Sequence, residues 1–254
     1  MDQTTPIQWI VTALEEDRRN ADRVLVTITP VEWADSPGIS PAARSLALHI
    51  AVVSSYGLRL GLVLGNLELA ALNQADAFQK IVNRALDFLA VRPRSAWEVR
   101  QRLRRKQVEE EDIVRVLERL ERAGYLDDPA FARYWIGERA RSSPRGPRLI
   151  AQELRRKGVS SDIIKQALDD FQVARQEEYT MSQLNDADNP DQDEAEGDPE
   201  YDEVLRLAQR KHRAYASLDT STYRRRMSAF LQRRGYSYAL ISRALKALQD
   251  EPPE

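Results

Sequence analysis

The chain offers little with which to make or break bonds. Its 254 residues include no cysteine and only two histidines, His49 and His212, far apart in sequence. Thiol catalysis, disulfides, cysteine-ligated zinc and iron–sulfur clusters are excluded, and a histidine-based triad or metal site would rest on one isolated imidazole. No GxxxxGK[ST], GxGxxG or HExxH occurs. Asp127-Asp128 is an adjacent carboxylate pair, but helix capping accounts for it, with Pro129 in the first turn after a cap at Asp128. Asp186, Asp188 and Asp193 lie close together, yet Pro190 and Asp191 fall at the fifth and sixth positions of a calcium loop, where the sixth must be glycine. The expectation is a chain without catalytic residues, metal or cofactor, and so not an enzyme.

Arginine in register is what the sequence has in quantity. Basic side chains gather at Arg100, Arg104, Arg105 and Lys106, again at Arg155, Arg156 and Lys157, and a third time at Arg224, Arg225, Arg226, Arg233 and Arg234. Arg141, Arg145 and Arg148 lead into the second group. Any one of them is explained by a solvated helix face or by the helix dipole. As a set they recur at the same end of the same helix three times, which fits a polyanion or an acidic protein surface.

The net charge of −2 hides this pattern. Residues 204–249 carry 11 basic and 1 acidic side chains, whereas residues 176–203 carry 12 acidic and no basic ones. The acidic stretch holds almost no large apolar group, so disorder is expected over 176–200. It could shield the basic third unit as an intramolecular mimic of DNA.

Those basic clusters need helices to position them, and the apolar spacing supplies them. Val99, Leu103 and Val108 recur as Ile150, Leu154 and Val159 and as Met227, Leu231 and Tyr236. Each set leads to a second amphipathic stretch, around Ile113 and Leu117, Ile164 and Leu168, and Ile241 and Leu245. Recurrence in fixed register predicts a repeated unit, with three helices per unit the economical reading. Ser95 and Glu98 form a capping box, and Gly158 and Gly235 sit where each middle helix should close in a left-handed turn. Gln107 takes that position in the first unit, so its turn is strained or of another type. Gly124 closes a further helix, with Tyr125 able to fold back as the apolar contact after the cap.

A helix-turn-helix reading of bases fails on charge, because the first unit's second helix opens Glu109-Glu110-Glu111-Asp112, which phosphates repel. Phe131, Trp135, Phe171, Tyr223 and Phe230 have helical spacing and read as core rather than base-stacking groups. Trp97 lies one residue past the apolar stripe and could be exposed.

The start of the chain lacks a secretory signal. Ser45 to Leu67 is the least polar window, but Arg59 near its centre and the surrounding polar residues oppose a membrane span. A buried helix from Pro41 to Tyr56, capped by Ser40 and closed by Gly57, is the better reading, with another helix after Asn66. Before it, Ile10 to Glu15 and Val24 to Ile28 suggest a β-hairpin, against a competing helix from Thr5-Pro6. The expected organisation is an N-terminal region over 1–75, helical repeats over 76–126, 127–175 and 201–249, the acidic insert at 176–200, and a tail at 250–254. The expected fold is mainly α, with tandem three-helix repeats in an elongated array and a small N-terminal region carrying the hairpin.

The run Ala85-Leu86 to Leu89, Arg92-Pro93-Arg94-Ser95 and Glu98 to Lys106 resembles the RecX family of recombination regulators. So do Gly124 to Asp128 with Phe131-Ala132, and the return of Leu154 to Gly158. The motif of Asp127, Asp128, Phe131 and Ala132 is its most specific part and reads as structural. The resemblance is good over 85–171, fair over 201–248 and weak before 75. It implies a cytoplasmic monomer in DNA repair, homologous recombination and the SOS response. Such a protein lies in the groove of the RecA–single-stranded DNA filament and inhibits its ATPase, strand-exchange and co-protease activities. It would touch single-stranded DNA weakly, through the backbone, and no membrane. The alternative is a stand-alone helical-repeat protein that binds nucleic acid without sequence specificity.

Overall fold

The computed structural model describes residues 7–33, 42–185 and 198–250. The chain divides into two compact units, residues 1–90 with 103–116 and residues 91–102 with 117–254.

In the first unit, β1 (Trp9–Glu16) and β2 (Arg23–Pro30) form the expected hairpin, followed by a 3-10 turn at Val31–Trp33. Strand β3 (Arg44–His49) pairs with β2, and the two-residue β4 (Val63–Leu64) pairs with β1, giving an antiparallel sheet of order β3-β2-β1-β4. The register shifts between Val11 and Ala13, which makes Thr12 a bulge. Alternation sends Trp9, Val11, Val26, Ile28 and Leu48 into a core shared with Val52, Leu64 and Leu72.

The helix expected over Pro41–Tyr56 is thus corrected. Its described part is strand β3 followed by the short helix α1 (Ile50–Ser55), capped by His49, whose Nδ1 accepts from Ala51 N. Leu46 and Leu48 alternate with the smaller or polar Ser45, Ala47 and His49, and pairing with β2 outweighs their helical tendency. Ser40 and Pro41 lie outside the described residues. Gly57 does close α1, at φ 58°.

Helix α2 (Asn66–Ala90) runs unbroken through the boundary drawn at 75/76. Buried Asp76 explains why. Its carboxylate pairs with Arg23 at 3.0 Å and Lys80 at 2.9 Å and accepts from His49 N at 2.9 Å, tying α2 to β2 and β3. Burial pushes that carboxyl up, and the Lys80, His49 and Arg23 hydrogen bonds outweigh it, holding it below the usual range.

The repeats follow. Helices α3 (Ala96–Arg104) and α4 (Glu110–Arg122) contribute residues to both units; α5 (Asp128–Ser142), α6 (Pro147–Arg156) and α7 (Ser161–Asn185) form the second repeat. The third comprises α8 (Pro199–His212), α9 (Thr220–Arg233) and α10 (Tyr238–Asp250). Val99, Ile150 and Met227 are buried, as are Leu103, Leu154 and Leu231, and Ile113, Ile164 and Ile241. The periodicity in the sequence is therefore the periodicity of the cores. Phe131 and Tyr223 are buried, and Trp135, Phe171 and Phe230 pack against the two cores, as expected of core aromatics.

Three local expectations change. The cap of α5 is Asp127, whose Oδ1 accepts from Ala130 N, while Asp128 occupies the first turn. After Gly124 it is Leu126, 4% exposed, that folds inward, and Tyr125 is 60% exposed. The insert expected to be disordered over 176–200 is helical at both ends, since α7 extends to Asn185 and α8 starts at Pro199 behind its Asp198 cap. Arg175 donates to Pro199 O at 2.8 Å and Tyr179 to Asp202 Oδ2 at 2.9 Å, giving these polar turns anchors that composition does not show. Residues 186–197, including the calcium-loop candidates Asp186, Asp188 and Asp193, lie outside the described residues. No described helix is long and apolar enough to cross a membrane.

Candidate nucleic-acid interface

Each middle helix ends in the same left-handed turn. Val108 N, Val159 N and Tyr236 N donate to the carbonyls of Leu103, Leu154 and Leu231, with Gln107, Gly158 and Gly235 at φ 58°, 78° and 90°. Gln107 therefore adopts the glycine conformation and is strained.

The glycines also receive a neighbour. A Cβ on Gly158 would overlap Trp97, near the start of α3, and Ser95 Oγ donates to Lys157 O at 2.6 Å. A Cβ on Gly235 would fall 2.6 Å from Leu149 Cβ, near the start of α6, and Gly146 N donates to Arg234 O at 2.7 Å. Ser95 and Gly146 differ by the repeat offset of 51, and Lys157 and Arg234 by the offset of 77. The start of one middle helix thus seats on the turn that ends the next, twice in the chain. This gives Trp97, 44% exposed, a packing role.

The two joints differ in charge. At the first, the capping box holds as expected, Ser95 Oγ accepting from Glu98 N at 3.2 Å and Glu98 Oε2 from Ser95 N at 3.3 Å. Glu98 also pairs with Arg92 at 2.9 Å and Lys157 at 3.0 Å. Burial raises the Glu98 carboxyl, but the hydrogen bonds from Arg92 and Lys157 win and hold it below its usual range. Asp128 accepts from Ala96 N at 2.9 Å, and burial leaves its carboxyl raised.

At the second joint, the position matching Glu98 is Leu149. Arg234, the counterpart of Lys157, donates to Pro144 O at 3.1 Å and lies 5.1 Å from the Phe230 ring centroid, and among the described residues no carboxylate pairs with it. Lys211 lies over the same ring and that of Tyr215. Burial, with Arg139 and Arg234 nearby, depresses the Arg145 guanidinium from its ordinary value. This is a region of excess positive charge.

The sequence-derived basic residues therefore separate. Arg105, Lys106, Arg148, Arg155, Arg156, Arg224, Arg225, Arg226 and Arg233 are exposed. Arg104 is exposed and paired with Glu110 at 2.8 Å, and Arg141 with Glu138 at 3.3 Å. Arg100 is half-buried. Three are engaged within the fold: Lys157 holds Glu98 and lies 4.1 Å from the Trp135 ring centroid, Arg145 pairs with Glu153, and Arg234 binds Pro144 O. Arg206, Arg210 and Lys211 on α8 were missed; their excess in the charge count was the available signal. Asp127, Phe131 and Ala132 cap α5 and fill the second repeat's core, while Asp128 holds the start of α3, which gives the motif its structural role. No group of three or more potential metal-ligating side chains occurs among the described residues.

This is the architecture of a helical-repeat protein with basic surfaces. Matches to the first, second and third three-helix domains of RecX cover residues 82–120, 127–168 and 198–245. Regulatory protein RecX of Bacillus subtilis (strain 168) is 30% identical over 203 residues, covering 80% of this chain and 68% of that protein. Its counterpart in Geobacillus thermodenitrificans (strain NG80-2) is 29% identical over 242 residues, covering 83% and 90%. Among solved structures, one of regulatory protein RecX aligns with a TM-score of 0.69 at 20% identity, over 96% of this chain and 100% of that one. RecX from Lactobacillus salivarius aligns at 0.55 and 20% identity, over 69% and 98%. The chain belongs to the RecX family of regulatory proteins.

Proposed function

We propose that this protein regulates the RecA–single-stranded DNA filament from within its helical groove. It inhibits ATP hydrolysis, strand exchange and co-protease activity, as a cytoplasmic monomer in recombinational repair and the SOS response. Family membership supports the regulatory role, and the observation that carries the filament reading is the recurrence of exposed arginines at one repeat position. Arg104, Arg155 and Arg156, and Arg233 stand on the last turn of the three middle helices, and Arg105 follows α3 directly. Arginines recurring at one repeat position suit a periodic polyanion–protein surface, and exposed guanidiniums make salt-sensitive backbone contacts rather than base-specific ones.

The test is RecA ATPase on single-stranded DNA with substoichiometric protein. Inhibition well below one protein per RecA is expected, and an unchanged rate overturns the reading. The same assay separates the alternative, a nucleic-acid binder acting alone, which would bind single-stranded DNA tightly and leave the ATPase untouched.

A further inference from the structure

We propose that the concavity at the joint of the second and third repeats is a phosphate-binding cleft that holds the backbone of a single-stranded nucleic acid. It measures about 290 Å³; Arg210, Lys211 and Arg234 supply its charge, Phe230 its apolar floor, and Ser142 and Ser143 its hydroxyls. No acidic residue lines it. Among the described residues neither Arg210 nor Lys211 is ion-paired, and Arg234 is engaged by a neutral carbonyl and a ring.

The first joint is the internal control. There the matching cation, Lys157, is neutralised by Glu98; the substitution of that position by Leu149 removes the carboxylate and leaves the second joint's charge for an external anion. Guanidinium and ammonium groups with nearby hydroxyls are the donor set phosphate oxygens select.

A second concavity of about 530 Å³ shares Pro144 and Arg210 with the first and adds Arg206. Its other cation, Arg175, is held by Glu203 at 2.6 Å. Two adjoining hollows with cations along both fit a succession of phosphates better than one focus. The cleft itself stands on these contacts, while the identity of its polymer as nucleic acid rests on the function proposed above.

The test is binding of a fluorescent oligothymidylate to the full-length protein, without RecA, by anisotropy across a salt series. Losing two phosphate contacts in R210Q/K211Q should flatten the slope of log K against log salt by about 1.4, at roughly 0.7 per contact for single strands. Affinity at low salt should fall at least tenfold, while R210K/K211R, which keeps both charges, retains the wild-type slope. R18Q/R19Q removes the same charge from the exposed hairpin loop and should leave binding intact. An unchanged slope in R210Q/K211Q, or equal loss in R18Q/R19Q, overturns the cleft. If R210Q/K211Q loses helicity by circular dichroism, L149E supplies the same readout from the opposite side. Displacement of the oligonucleotide by inorganic phosphate but not by chloride at equal ionic strength overturns the extended backbone in favour of a single-phosphate focus. Because RecA is absent, none of these results depends on the ATPase outcome.

Discussion

The two joints between repeats are built on one plan and put to different uses. Both seat a helix start on a left-handed turn and both pass a hydrogen bond to the carbonyl before the glycine. At the first, Glu98 gathers Arg92 and Lys157 into an internal network. At the second, Leu149 stands in place of that acid, and among the described residues Arg234, beside Lys211 and Arg210, has no counter-ion. A joint closes by shape, through glycine, and its charge is then free to serve either cohesion or recognition.

The largest test removes the shape. Gly235→Ala meets Leu149 Cβ at 2.6 Å and its backbone nitrogen at 2.7 Å while φ stays near 90°. Steric overlap and left-handed strain together should cost about 3 kcal/mol in urea unfolding. A cost below about 1 kcal/mol would mean that the joint yields and that the close approach does not hold the repeats.

Next comes the charge of the first joint. Glu98→Gln leaves two cations facing a neutral amide and should cost about 2 kcal/mol, less than in a fully buried network because Arg92 is a third exposed. Its pH signature has a definite sign. The folded carboxyl is held below the unfolded glutamate value of about 4.3, so its stabilisation is present above that pH and lost as pH falls through the lowered folded value. Asp128, whose folded value is raised, runs the other way: its ionised form costs stability above the raised value, and acidification relieves it. Subtracting the E98Q curve of stability against pH from that of wild type isolates Glu98; a difference that does not shrink below pH 4 would contradict the network.

Leu149→Glu then tests whether the joints are interchangeable, by placing the first joint's acid in the second. Oligothymidylate affinity should fall about fivefold at low salt, or roughly 1 kcal/mol. Unchanged binding would separate the cleft from the missing acid.

The smallest effect is expected at Gln107→Gly, which relieves the left-handed residue and should stabilise the chain by about 1 kcal/mol. Destabilisation in thermal unfolding would show that the Gln107 side chain has a supporting role.

The repeats were legible because one apolar register, Val99 through Ile150 to Met227, is also the register of the cores. Gly158 and Gly235 advertised their turns, but only the contacts with Trp97 and Leu149 show that glycine also makes room for a neighbour. The strand Arg44–His49 was hidden because its partner β2 lies about twenty residues away, beyond the reach of local periodicity. Lys157 and Arg234 looked like free cations since Glu98 and Pro144 reach them only through the fold. Arg210 and Lys211 could be counted in sequence, but the cleft joining them to Ser142 and Ser143 could not.

The strained turn at Gln107 bears on polymer growth. A series of like units with a receptive end invites head-to-tail addition of further copies, and unclosed addition makes fibres. At Gln107 the receptive turn carries a side chain where the other two are bare, so a helix start seated as on Gly158 would collide with it. A bare glycine at 107 would remove that steric stop.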